Sequence, residues 1–98
     1  MPIRFEWDPQ KDEANQRKHG VDFQEASTAF EDEAALLIDD PEHSSDEDDR
    51  LLLLGLSSRL RLLLVVHCYR EDDQVIRIIS ARVATKGERQ SYARRFQT

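Results

Sequence analysis

The stretch from Leu60 to Arg70 constrains this chain more than any other. Its even positions, Leu60, Leu62, Leu64, Val66 and Cys68, are all apolar. Its odd positions, Arg61, Leu63, Val65, His67 and Tyr69, are polar at the ends and apolar in the middle. Alternation of this kind belongs to a strand, whose successive side chains point to opposite faces. The even face is expected to meet the core, with something covering part of the odd face. Glu71-Asp72-Asp73 then reads as a hairpin turn into a second strand, Gln74 to Val83. Parity breaks along that strand. Arg77 stands opposite Ile76 and Ile78, yet Ser80 and Arg82 fall on the isoleucine side by count. A one-residue bulge reconciles the pattern.

The rest of the chain can be arranged around this hairpin. Ile3 to Trp7 reads as a short strand. Asp8-Pro9 opens a helix, with Asp as N-cap and Pro at the first helical position, and Gly20 is placed to end it. Asp22 and Glu25 form a capping-box pattern for a second helix, with Val21 able to staple against Ala26. Phe23, Ala26 and Phe30 share its buried face, and the helix should stop near Asp32. Ala35 to Ile38 reads as a short strand, and Leu51 to Leu54 as a buried one that Gly55 ends or bulges. Ser57-Ser58-Arg59 supplies a turn. Thr85 and Glu88 form a capping-box pattern for a last helix carrying Arg89, Tyr92, Arg94, Arg95 and Phe96. The expected fold class is α+β: two N-terminal helices packed on an antiparallel sheet, with a C-terminal helix, in one domain over residues 1–98.

Composition excludes several functions. A single cysteine, Cys68, rules out a disulfide framework or a CxxC zinc site. The longest apolar run, Leu62 to Val66, is far short of the roughly 20 residues of a membrane span, and no leader pattern opens the chain, so a cytoplasmic protein without membrane contact is expected. The net charge of −6 argues against nucleic acid until it is divided. Residues 1–49 carry a balance of −12 and residues 50–98 a balance of +6. Nine of the ten cations in the second half are Arg, which suits bidentate phosphate contact. Seven acids between Asp39 and Asp49 read as a solvated loop.

Several polar groups are candidates for chemistry. Lys11, Asn15, Lys18 and His19 fall near one face of the first helix, a phosphate-contacting or acid–base stripe if it is not simply solvated. This helix has one clear apolar residue, Ala14, so Trp7, Val21 and Phe23 must anchor it at its ends. Arg61, Arg77 and Arg82 can converge on one basic surface, or pair with local acids at strand edges. Arg82 stands just before a helix N-terminus, which itself attracts anions. His67 and Cys68 read as packed residues first. No cluster has metal-ligand spacing, and no glycine-rich phosphate loop is present, so neither metal nor cofactor is expected.

Two blocks of sequence resemble the BrnT toxin family. The first is Phe5-Glu6-Trp7-Asp8, Lys11, Asn15, Lys18-His19-Gly20-Val21, Phe23, Glu25-Ala26 and Phe30. The second runs from Ile76 through Arg77, Ile78, Ile79, Ser80 and Ala81 to Arg82, then Ala84, Glu88-Arg89 and Tyr92. The resemblance implies a RelE-like ribonuclease toxin of a bacterial type II toxin–antitoxin pair. It implies metal-independent RNA cleavage that inhibits translation and arrests growth. It further implies neutralisation by a BrnA-like ribbon-helix-helix antitoxin in a heterotetramer, which alone contacts operator DNA. In this sequence Arg82, His19, Lys11 and Glu88 are the catalytic candidates. Lys18, Arg77, Arg89 and Tyr92 are the RNA-binding candidates, and His67 and Tyr92 are further groups able to transfer a proton. The alternative is a non-catalytic partner-binding module acting in operon autoregulation.

Overall fold

A computed structural model describes residues 3–39 and 50–96. The acidic stretch, read above as a solvated loop, lies outside the described residues except for the backbone of Asp39. In chain order the elements are β1 (Arg4–Glu6), α1 (Pro9–His19), α2 (Phe23–Thr28), a 3-10 turn (Ala29–Glu31), β2 (Leu36–Asp39), β3 (Leu51–Leu56), β4 (Leu62–Arg70), β5 (Val75–Val83) and α3 (Lys86–Ala93), which closes in a 3-10 turn (Arg94–Phe96). No helix among the described residues is long and apolar enough to cross a membrane.

The strands form one sheet in the order β1-β5-β4-β3-β2. The α+β architecture is as expected, but the sheet is mixed: β1 pairs parallel to β5, with Phe5 opposite Ile76. The chain leaves β1 through α1 and α2 and returns to the sheet at its far edge, so β1 and β5 run in the same direction. The remaining pairings are antiparallel. The bulge in β5 is present: His67 faces Ile78 while Val66 faces Ser80, so Ile79 is the extra residue. It returns Ala81 to the face of Ile76 and Ile78, and puts Arg77 and Arg82 together on the other face.

The main core lies on the odd face of β4, a correction to the expectation from parity. Leu63 and Val65 join Val21, Phe23, Ala26, Leu53, Ile76 and Ile78 in one buried cluster under α1 and α2. The even face carries a smaller cluster, Leu54, Leu64 and Ala84, covered by Tyr92 of α3. Leucines on both sides of β4 serve two layers of helix, so apolarity alone does not identify the larger one. Leu60 is not a core residue. It takes a left-handed φ of +62° in the turn before β4 and is 79 % exposed. Glu71, Asp72 and Asp73 all take positive φ in the β4–β5 turn, a conformation that Asp tolerates better than most residues.

Two glycines have specific reasons. Gly20 ends α1 at φ +69°, its N–H donating to the Gln16 carbonyl. Gly55 neither ends nor bulges β3. It lies inside the strand because a Cβ there would sit 2.7 Å from the Ala29 carbonyl oxygen.

Helix α1 is held by polar contacts as well as by its ends. Asn15 is buried, so it is not part of an exposed functional stripe. Its Nδ2 donates to the carbonyls of Val21 (2.8 Å) and Ala81 (2.7 Å), and its Oδ1 accepts from the Ala81 N–H (3.1 Å). The side-chain amide therefore continues the ladder along the outer edge of β5 where β1 has ended. Asp12 adds a bond from the Phe23 N–H (2.9 Å), and Trp7 packs edge-on against Phe23.

Candidate active site

Strand β5 ends at Val83, and Thr85 starts α3 two residues later. Thr85 and Glu88 form the expected capping box, with the Thr85 N–H donating to Glu88 Oε1 (2.8 Å) and the Glu88 N–H to Thr85 Oγ1 (3.2 Å). Because the box fixes Glu88 over the strand end, its carboxylate meets Arg82. The contact is a two-pronged fork, Nη1 to Oε1 and Nη2 to Oε2, both 2.9 Å. The Arg82 fork holds the Glu88 carboxyl below its ordinary range, outweighing partial burial. The same bond raises Arg82 above the ordinary arginine value. Both groups are therefore charged at neutral pH, and both remain partly open to solvent.

Tyr92 lies one helical turn beyond Glu88, so the two project from the same side of α3. Its hydroxyl donates to Asp32 Oδ2 (2.6 Å). Burial and this bond push the phenol up to about 12. Asp32 also accepts from the N–H groups of Leu56 and Ala34, both at 2.9 Å. Burial opposes the Asp32 charge, but these three donors hold its carboxyl below the usual range. Arg95 donates to the carbonyls of Ala34 and Ala35, a second tie between the end of α3 and the loop before β2. Arg89 and Tyr92 line a cleft of about 370 Å³ together with Arg61, Leu56, Leu62 and Val83. The Arg89 side chain has no hydrogen-bond or ion-pair partner among the described residues.

The structure thus gathers Arg82, Glu88, Arg89 and Tyr92 at one end of the sheet. The other candidates lie elsewhere. Lys11 and Lys18 are exposed on α1 and His19 is partly buried; none has a polar partner among the described residues. Arg77 shares the Arg82 face but bonds to Glu6 of β1 (2.8 Å). Arg61 borders the cleft of Arg89 and Tyr92 but does not share a face with Arg82. It reaches the opposite face, where it grips Glu25 of α2 through two contacts and donates to the Gly20 carbonyl. His67 is fully buried, edge-on to both Phe30 and Tyr69. Its Nδ1 lies 3.2 Å from the Val65 carbonyl, and Nε2 has no partner. Burial pushes its pKa down, only partly offset by that carbonyl. Asp32 is the residue that sequence reasoning missed. Asp32-Glu33-Ala34 carries a turn signal, realised in the bond from Ala34, but nothing local announces its partner on α3.

The family model for the ribonuclease toxin BrnT of type II toxin–antitoxin systems matches residues 7–88. The chain belongs to the BrnT family. The match takes in both the α1 stripe and the Arg82–Glu88 fork. A crystal structure of the Brucella abortus ribonuclease toxin BrnT superposes with a TM-score of 0.66 at 23 % identity, over 86 % of this chain and 99 % of that one, and shares its fold. A search of curated proteins finds no match. Membership of BrnT makes the chain one of a family of ribonuclease toxins whose systems include an antitoxin.

Proposed function

We propose that the chain cleaves RNA without a metal ion, and that this cleavage stops translation until a BrnA-like ribbon-helix-helix antitoxin binds. A heterotetramer of toxin and antitoxin would then reach operator DNA through the antitoxin alone. The observation that carries the catalytic reading is the Arg82–Glu88 fork at the end of β5. In RNA cleavage a base removes the 2′-hydroxyl proton, and the freed oxygen attacks the adjacent phosphorus. Charge gathers on the phosphoryl oxygens before the 5′-oxygen leaves with a proton. A phosphodiester is a second ligand for the Arg82 fork. As Arg82 turns toward it, Glu88 loses the partner that depresses its pKa and becomes a better base for the 2′-hydroxyl. Arg89 adds charge for the phosphate. Tyr92, with a pKa near 12, keeps its proton and positions α3. His19, with Lys11 and Lys18 on α1, is the candidate acid and phosphate contact, a role that requires bound RNA to reach from the fork across to α1.

The purified chain should cut RNA in the presence of a chelator, and Arg82→Ala should lower the rate about 100-fold, the scale of losing one preorganised charge donor. His19→Ala tests the acid. Intact RNA with folded wild-type protein refutes the catalytic reading. It would favour the non-catalytic partner-binding module, to which the carboxylate partners of Arg61, Arg77 and Arg82 also lend support.

A further inference from the structure

Away from the fork, an apolar groove of about 420 Å³ crosses the face that carries α2. It runs from Ile3 beside β1 to Leu37 on β2, over a floor that includes Phe5, Leu53 and Tyr69, with Phe30 as one wall. Ile3 and Leu37 are 50 % and 54 % exposed, which is unusual for large apolar side chains at both ends of one groove. The charged groups on its lining are both acids, Glu31 and Asp32. Asp32 is already held by three donors, but Glu31 is exposed, and in a chain of net charge −6 that rim repels RNA and favours a cationic partner.

We propose that this groove is the antitoxin's docking site, filled by an amphipathic helix with one apolar face flanked by Lys and Arg. The inference rests on the antitoxin part of the function proposed above and is independent of the RNA chemistry. The dimensions suit a helix. Ile3 and Leu37 flank a five-stranded sheet, so four steps of about 4.8 Å separate them, roughly 19 Å, or about 13 residues of helix. Such a segment sets apolar anchors at i, i+3 or i+4, i+7 and i+11 along the groove. The groove is also wired to the active-site end. Asp32 forms part of its rim and holds the Tyr92 hydroxyl, while Arg95 holds the carbonyl of Ala35, another lining residue. A helix seated here therefore bears on α3 without covering the Arg82–Glu88 fork.

The test is titration of the chain with its cognate antitoxin, co-expressed from the same operon and separated. Leu37→Asp and Glu31→Lys replace side chains the fold does not bury, and circular dichroism checks that both variants fold. Each should weaken binding at least tenfold while leaving the RNA-cleavage rate of the free chain unchanged. Leu60→Asp, on the far hairpin, should leave binding within about twofold. Raising salt should weaken the wild-type complex. Equal binding by wild type, Leu37→Asp and Glu31→Lys overturns the docking site and leaves the antitoxin reading intact. Absence of binding by wild type overturns both. A dimer of the isolated chain that Leu37→Asp dissolves assigns the groove to a second copy and overturns the proposal.

Discussion

The pairs Arg61–Glu25 and Arg82–Glu88 have the same chemistry on opposite faces of the sheet, yet their surroundings give them different work. Glu25 is 4 % exposed, and its carboxylate takes bonds from Arg61 and from the Ser57 hydroxyl (2.7 Å). Arg61 lowers the Glu25 pKa against the opposing effect of burial. The contacts of this pair tie the β3–β4 hairpin to α2 and, through Gly20, to the end of α1, so its polar groups are taken up by the fold. Glu88 is more open, and its local duty as a capping box is met by Thr85 whether or not Arg82 stays. The fork can exchange partners; the buried pair cannot.

The largest effect should therefore follow from Arg61→Ala. It leaves Glu25 buried without its cation, costing about 3 kcal/mol, or a fall in Tm of roughly 12–24 °C for a domain of this size. Thermal unfolding by circular dichroism measures this, and a shift of less than about 4 °C, worth under 1 kcal/mol, would erase the contrast. Arg82→Ala should act in the opposite sense. Stability should drop by no more than about 1 kcal/mol, as for a half-exposed pair, while RNA cleavage falls about 100-fold. If Arg82→Ala destabilises as much as Arg61→Ala, the division of labour is wrong.

That contrast was only half legible in the sequence. Capping rules placed Asp8, Asp22, Thr85 and Glu88 because each acts within a few residues of itself. The broken parity of β5 revealed the bulge, because charged side chains mark the outer face. Parity fails on β4 because its leucines face apolar layers on both sides, so alternation points to the smaller of two cores. The polar anchors Asn15, Asp12 and Asp32 were hidden for another reason. Each bonds to a backbone or side chain far away in sequence, and the spacing of Asn15 on α1 matches a solvated or functional stripe equally well. Arg61 and Arg77 look equivalent in sequence, and only the helix start beside Arg82 sets it apart, because a count of cations carries no information about which carboxylate folding brings to each.

His67 extends the comparison to a group that is buried with no charged partner. Its folded pKa is depressed, so below the unfolded value of about 6.5 the unfolded state binds a proton the native state refuses. Stability is therefore full above that value and declines as pH falls below it, by about 1.4 kcal/mol per pH unit until the folded pKa is reached. Urea denaturation at pH 7.5, 6.0 and 5.0 should show the decline, and His67→Phe should flatten it. An unchanged slope in His67→Phe assigns the acid sensitivity elsewhere.

Arg77 gives the smallest and most discriminating expectation. It shares a face with Arg82, yet its partner Glu6 is on β1, and both side chains are about a third exposed or more. Its exposure resembles that of the Arg82 fork, but no capping box holds its carboxylate in place. Arg77→Ala should cost well under about 1 kcal/mol of stability. If Arg77 also contacts a phosphate when RNA binds, the variant should bind all sequences more weakly by a similar factor. The slope of log K against log salt for single-stranded RNA should then fall by about 0.7. Binding measured across three salt concentrations decides this. An unchanged slope confines Arg77 to tying β1 to β5 and leaves Arg82 and Arg89 as the phosphate contacts on that side of the sheet.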